Sequence, residues 1–161
     1  MARLLFLVLL LVAGDALAQA RKPPAKQAQA KPCAQEEAMA AEKAAGRPAP
    51  TWEALHESFT RYGHCDDGAI AAGFSDSVAR LLGSRWEQFG SLQKLAASDR
   101  AFRAFVLRHI DASAYEKDIE RLIANAASRC ADDARQLCHE IRRAGEAAAR
   151  EQGREQSRKS R

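Results

Sequence analysis

The densest cluster of chemically competent side chains in the sequence is His64-Cys65-Asp66-Asp67. A histidine beside carboxylates could act as a general acid or base if these groups were partly buried. A structural role accounts for the same residues, since Asp66 or Asp67 would cap a helix that we expect to begin near Ala69. A carboxylate there accepts hydrogen bonds from free backbone N–H groups and lies at the positive end of the helix dipole. The spacing favours the cap.

No nucleophile motif is apparent. The segment Gly73-Phe74-Ser75-Asp76 has a glycine before its serine, but it lacks the second glycine and the preceding strand of a nucleophile elbow. Glycine-rich loops that could cradle a phosphate group are missing as well. His109 suits the negative end of a helix, and Asp111 can begin the turn that follows. The sequence therefore predicts no catalytic residues, no cofactor and a protein that is not an enzyme.

The sequence contains four cysteines, Cys33, Cys65, Cys130 and Cys138. They allow three complete disulfide pairings. On an unbroken helix, positions 130 and 138 would lie about 12 Å apart, too far for a bridge that needs Cα atoms within about 7 Å. If the chain reverses at Asp132-Asp133, the two cysteines approach each other, and Cys33 is left for Cys65. We prefer this pairing. The alternative, in which Cys65 joins Cys130 or Cys138, stays open.

A zinc site is the competing use of the same residues. His64, Cys65 and Asp66, together with Cys138 and His139, contain enough ligands for zinc. Adjacent residues of a helix point about 100° apart, however, and Cys-x2-Cys spacing is absent. We therefore predict disulfides and no metal.

Helices must position these residues, because apolar side chains recur at helical spacing. Trp52, Leu55, Phe59 and Tyr62 share one helix face, and similar stripes continue to Ala148. Expected N-terminal signals are Ser98-Asp99, a Ser113-x-x-Glu116 capping box and Asp132-Asp133. Alternating strand patterns are absent. We predict an all-α fold: one compact, disulfide-braced bundle of about five helices over residues 51–149, with disordered ends.

The two ends of the chain have their own compositions. Residues 1–18 have the features of a signal peptide, with an apolar run too short to span a bilayer and cleavage expected after Ala18. In a Gram-negative bacterium the destination would be the periplasm. Residues 19–50 are predicted to be a flexible leader with a short helix over 34–45, which can dock only weakly unless Cys33 holds it. Residues 150–161 are predicted to be a charged, disordered tail.

The net charge of +4 is unevenly distributed. Segments 19–50 and 150–161 each carry +3, whereas the body, 51–149, carries −2. A nucleic-acid-binding domain would present its basic residues on a folded element. We therefore predict that nucleic acid is not a partner, and that no membrane span follows residue 18.

Part of the body resembles a known family. The run from Tyr62 to Val78, the segment Phe102-x-x-Phe105-Val106-Leu107-Arg108-His109-Ile110-Asp111, and Cys130 with Leu137-Cys138 resemble small exported helical immunity proteins of type VI secretion amidase effectors. The resemblance covers about residues 58–145. It implies a periplasmic inhibitor, able to form a homodimer, that binds a Cys/His peptidoglycan amidase and blocks its substrate groove.

Acidic positions of the body are the candidates for such a contact, because a slightly acidic inhibitor attracts a basic enzyme. The partner-binding candidates are Glu53, Asp66, Asp67, Asp76 and Asp111. Taken singly, each is better explained as a helix cap or a solvated charge. The alternative function is a non-catalytic cell-envelope adaptor or chaperone-like protein that uses its basic ends on anionic surfaces.

Overall fold

A computed structural model describes residues 31–46, 49 and 51–161. The predicted signal peptide, its cleavage site and residues 19–30 of the leader lie outside the described residues. Within the described part of the chain there are seven α-helices and no strand, which confirms the all-α class. The helices are α1 (Gln35–Ala45), α2 (Trp52–Tyr62), α3 (Gly68–Ser84), α4 (Phe89–Ser98), α5 (Arg100–Arg108), α6 (Glu116–Ser128) and α7 (Arg135–Lys159).

The prediction of about five helices was too low. The leader helix α1 is part of the packed structure, and the body alone forms six helices, α2 to α7. The start of α5 at Asp99 is as predicted, since its side chain accepts a hydrogen bond from the Phe102 backbone N–H at 3.0 Å. Three short 3-10 turns, Gly63–Cys65, Trp86–Gln88 and Asp132–Ala134, connect neighbouring helices.

Other helix starts follow the sequence only in part. Thr51 caps α2 by accepting a hydrogen bond from the Ala54 N–H at 3.2 Å, and Asp67 caps α3 through the Gly68 N–H at 2.8 Å. The predicted capping box at Ser113 is wrong. The Ser113 hydroxyl donates to Asp111 at 2.6 Å instead, and α6 begins after Tyr115 without a side-chain cap.

The core runs the length of the bundle, with α6 packed between α3 and α7. Both tryptophans, Trp52 and Trp86, are buried as expected from their helical spacing. The largest fully buried side chains are Trp52, Phe74, Phe102, Phe105, Leu55, Leu81, Leu82, Leu92, Ile119, Leu122, Ile141 and Val78. This continuous apolar interior is the main source of stability for a chain of this size.

Helix α1 packs against the bundle and is held by Cys33, which is bonded to Cys65, the condition under which more than weak docking was expected. Ala41 and Ala45 are buried, and Gly73 of α3 lies so close to α1 that a Cβ at position 73 would be 2.6 Å from the Ala45 carbonyl oxygen. The absence of a side chain at Gly73 lets the two backbones approach. Small residues, which the search for large apolar side chains overlooked, form this contact.

The disulfides are the preferred pairing. Cys33 is bonded to Cys65, with Cα atoms 5.0 Å apart, and Cys130 to Cys138, with Cα atoms 6.2 Å apart. The turn Asp132–Ala134 supplies the chain reversal that the second bridge requires. Such bridges persist in an oxidising compartment. No described helix is long and apolar enough to cross a bilayer.

The prediction that residues 150–161 are disordered is wrong, because α7 continues to Lys159. Its Arg, Glu and Gln residues are good helix formers. The Gln152 side-chain amide donates to the carbonyls of Ala112 at 3.2 Å and Ala114 at 2.8 Å, and that of Gln156 donates to Glu116 at 3.2 Å. Polar contacts therefore hold the end of α7 against the bundle, where its sequence no longer has an apolar stripe.

Candidate functional site

A buried polar cluster, Asp66, Ser75, His109 and Asp111, lies where α3, α5 and the turn before α3 meet. We call it the His109 cluster. His109 ends α5, and its imidazole lies between two partners: Nε2 is 3.0 Å from the Asp66 carboxylate, and Nδ1 is 3.0 Å from the Ser75 hydroxyl. His109 is 3% exposed and Ser75 is 1% exposed. The cluster therefore contains the residue types of a Ser-His-Asp triad.

Two further contacts extend the cluster toward the surface. The Ser75 hydroxyl lies 2.7 Å from Asp111, whose other oxygen accepts hydrogen bonds from the backbone N–H and hydroxyl of Ser113 at 2.8 and 2.6 Å. The exposed Arg108 guanidinium donates to Asp66. Asp66 thus accepts from two adjacent residues of α5.

The number of available protons fixes how the cluster is bonded. A carboxylate only accepts, so a neutral His109 must carry its N–H on Nε2 to bond Asp66. Ser75 then has one proton for three acceptors: Asp111, the His109 Nδ1 and the Ala71 carbonyl at 3.1 Å. A second proton on the imidazole would supply the missing donor. Burial disfavours the positive charge that this proton would bring.

Burial determines whether the pKa of His109 is raised or lowered. Desolvation lowers the pKa of His109, and the hydrogen bond to Asp66 only partly offsets it. Burial also raises the pKa of Asp111, but hydrogen bonds from Ser113 and Ser75 outweigh that effect, so the pKa of Asp111 is lowered overall. At neutral pH the cluster therefore holds a neutral imidazole beside an ionised Asp111.

Ser75 differs from an activated serine nucleophile in two respects: a substrate cannot reach it, and its hydroxyl is surrounded by acceptors. Ser75 lies inside α3 with its hydroxyl engaged by three acceptors, and the rings of Phe74 and Phe105 pack against the imidazole at centroid distances of 5.8 and 4.3 Å. A triad serine needs an open approach for its substrate. Here the polar groups brace three elements against each other.

The acidic positions proposed from the sequence do not form one patch. Asp66 and Asp111 belong to the His109 cluster, and Asp67 caps α3, as the spacing favoured. Asp76 is exposed on α3, with no hydrogen bond or ion pair to another described residue. Glu53 lies on α2, where its own backbone N–H and the Ser91 hydroxyl lower its pKa.

Glu53 lines an open groove between α2 and α4. Its other lining residues are His56, Glu57, Thr60, Arg61 and Leu95. His56 is held by Asp99 at 3.0 Å and packs edge-on against the buried Phe102 ring, with centroids 4.7 Å apart. The α2–α4 groove therefore presents two carboxylates, Glu53 and Glu57, over a largely apolar floor, and Glu57 is paired with Arg61 at 3.1 Å.

The residues weighed for zinc are used otherwise. Cys65 and Cys138 are both in disulfides, so neither offers a thiolate. His64 lies 3.2 Å from Glu37 of α1. Among the described residues, no group of three or more His, Cys, Asp or Glu side chains is arranged to hold a metal ion.

Sequence reasoning missed the link between Ser75 and His109. The two residues are 34 positions apart, and His109 already had a plausible local role at the end of a helix. The one available signal was the coincidence of a serine on an apolar helix face with a histidine at the end of another helix. Only the packing of α3 against α5 brings them together.

Comparison with protein-family models, curated proteins and solved structures finds no match. The function is therefore argued from the chain's own geometry and from the resemblance in its sequence.

Proposed function

We propose that the chain is an exported, non-catalytic inhibitor that binds a partner protein, in the manner of the immunity proteins that it resembles. The partner would be a Cys/His peptidoglycan amidase of type VI secretion, and the compartment would be the periplasm. The observation that carries this proposal is the closed His109 cluster. The side chains best suited to acid/base or nucleophilic chemistry, Ser75 and His109, are buried and committed to holding the fold.

Rigidity supports a binding role. Two disulfides fasten α1 to the turn before α3 and close the hairpin between α6 and α7. The His109 cluster adds a third cross-connection between α3 and α5. A surface held in place before binding loses less conformational entropy when the complex forms.

The α2–α4 groove is the contact surface that we favour. Glu53 and Glu57 are one helical turn apart on α2, and the partly buried Leu95 of α4 contributes apolar area between the helices. Carboxylates at the rim of an interface steer a basic partner and raise the association rate. Of the remaining acidic candidates, Asp66, Asp67 and Asp111 are occupied by bonds within the protein, and Asp76 lies on α3, outside the lining of this groove.

The test is calorimetric titration of residues 19–161 against the amidase encoded by a neighbouring gene, with peptidoglycan cleavage measured in parallel. We expect nanomolar binding and loss of cleavage. Absence of binding, or binding that leaves cleavage intact, would refute the proposal.

A variant pair locates the surface. Glu53→Gln with Glu57→Gln removes two charges from the groove while keeping hydrogen-bonding side chains. Glu120→Gln with Asp133→Asn removes the same charge from exposed positions on α6 and in the turn before α7. We expect slower association for the first pair only. Equal slowing in both would mean that net charge, and not the groove, attracts the partner.

The alternative function, a non-catalytic envelope adaptor or chaperone-like protein, depends on the basic ends of the chain. Deleting residues 150–161 would abolish an adaptor's activity, whereas inhibition through the α2–α4 groove would persist.

A further inference from the structure

Five arginines share one face of α7 and its C-terminal end: Arg143, Arg150, Arg154, Arg158 and Arg161. We call this surface the arginine face. Around the axis of a regular helix, Arg143, Arg150 and Arg154 fall within about 40° of one another, and Arg158 lies about 40° further round. Arg161 follows the last helical residue, Lys159. From Arg143 to Arg158 the arginines span about 22 Å. The part of α7 after residue 149 was predicted to be disordered. Because it is helical, it places on one face arginines that are spread along the sequence.

The fold turns this face outward. Gln152 and Gln156 lie on the opposite side of α7 and bind the segment from Ala112 to Glu116, so the arginines point away from the bundle. All five are exposed. Shallow depressions lined by these arginines run along the helix, one beside Leu107 and one near the C-terminus.

The charges of the arginine face are not neutralised within the described part of the chain. None of the five arginines forms an ion pair with a described carboxylate. Two acidic residues of α7 are engaged elsewhere: Glu140 binds Arg103 at 2.7 Å, and Glu146 lies 3.7 Å from Arg142. Glu151 and Glu155 are neighbours of these arginines in the sequence, but neither forms an ion pair with a described residue. The face is therefore free to bind anions.

The chemistry of the face favours phosphate. A guanidinium stays charged at all physiological pH values and offers a planar pair of donors that matches two phosphate oxygens. Small side chains, Ala147, Gly153 and Ser157, lie between the arginines, and Glu146 and Glu151 flank them. An interfacial helix that inserts into a bilayer needs bulky apolar residues. This face has none, so it would rest on a charged surface without entering it.

We propose that the arginine face binds the phosphate headgroups of an anionic lipid bilayer. A straight helix with several arginines on one side can place them together on a plane, which suits a membrane better than the curved surface of a globular protein. Clusters of four to eight basic residues on a helix are typical of anionic-lipid binding. This inference does not depend on the proposed inhibition, because the α2–α4 groove is formed by other helices.

The experiment is cosedimentation of the protein, residues 19–161, with vesicles of phosphatidylcholine alone or mixed with phosphatidylglycerol. We expect binding to the mixed vesicles only, and loss of binding at high salt because the interaction is electrostatic. Binding to neutral vesicles, or no binding to either, would overturn the proposal. So would binding to an acidic protein, polyglutamate, without binding to the mixed vesicles.

Matched variants separate the face from net charge. Arg150→Gln/Arg154→Gln/Arg158→Gln removes three charges from the face and keeps good helix formers. Arg80→Gln/Arg85→Gln/Arg100→Gln removes three exposed charges elsewhere. We expect affinity for the mixed vesicles to fall at least about ten-fold in the first variant and by much less in the second. Equal losses would refute a specific face, provided that circular dichroism shows unchanged helicity in both.

Discussion

His109 and Asp66, 43 positions apart in the sequence, are joined by a hydrogen bond of 3.0 Å between Nε2 and Oδ2. Both side chains are almost completely buried, at 3% and 7% exposure. Their bond connects the end of α5 to the turn before α3, which the Cys33–Cys65 disulfide also fastens. The stability of that end of the bundle should therefore depend on a few polar groups.

Replacement of Asp66 by alanine is expected to destabilise the protein by about 1–3 kcal/mol, because it leaves the buried N–H of His109 without an acceptor. Urea denaturation followed by circular dichroism would measure the change. Asp76→Ala is the control: Asp76 is an exposed aspartate on α3, and its loss should change the free energy of unfolding by less than about 0.5 kcal/mol. Similar effects in the two variants would contradict the role assigned to Asp66.

The protein should become less stable as the pH falls below neutral. The pKa of His109 is lower in the fold than its ordinary value of 6.5, so the unfolded chain binds more protons in that range. The contribution of His109 to the free energy of unfolding is therefore fully present above about pH 6.5 and decreases below it. The lowered pKa of Asp111 acts in the same direction at more acidic pH.

Histidine variants test this assignment in denaturation series between about pH 7.5 and pH 5. His109→Gln should show a weaker dependence on pH than the wild type, because glutamine can still donate to Asp66 but does not titrate. His139→Gln, which replaces an exposed histidine of α7, should keep the wild-type slope. If His109→Gln also kept that slope, another group would be responsible.

Alanine at position 73 should loosen α1. The new Cβ would lie 2.6 Å from the Ala45 carbonyl oxygen, a backbone atom that cannot rotate away. We expect a cost of about 1–3 kcal/mol and faster hydrogen exchange in α1. The matched control is Gly153→Ala, where nothing lies within 4 Å of the added atom. There the better helix propensity of alanine should stabilise the protein by about 0.5–1 kcal/mol.

The two disulfides should differ in their contribution. Cys33 and Cys65 are 32 positions apart, whereas Cys130 and Cys138 are 8 positions apart. In the chain-entropy description the first bridge contributes about 3.5 kcal/mol and the second about 2.5 kcal/mol. Unfolding of the double serine variants, Cys33→Ser/Cys65→Ser and Cys130→Ser/Cys138→Ser, would compare them. A larger loss of stability on removal of the Cys130–Cys138 bridge would show that native packing, and not the entropy of loop closure, determines these contributions.

Local patterns predicted most of the helices. The stripe from Trp52 to Tyr62 corresponds to α2, with the same bounds, and Ser98-Asp99 marks the start of α5 as expected. These features depend on residues close in the sequence, so periodicity and caps reveal them. The cysteine pairing also followed from a local argument, the turn between positions 130 and 138.

Interactions between distant residues could not be predicted in the same way. The docking of α1 depends on Gly73 meeting Ala45, and the extension of α7 depends on Gln152 reaching the carbonyl of Ala114. Neither contact has a periodic pattern. The His109 cluster likewise appears only when α3 and α5 pack together, since the partners of His109 lie 34 and 43 positions away in the sequence.

The order of the cysteines along the chain has a consequence for how the bridges form. Each disulfide joins cysteines that are consecutive in the sequence, 33 with 65 and 130 with 138, so neither loop encloses the other. A chain that enters an oxidising compartment amino-terminus first would expose Cys33 and Cys65 before the second pair. Each newly exposed thiol would then meet its native partner first. Oxidation in order of emergence would give the native pairing without any exchange between disulfides.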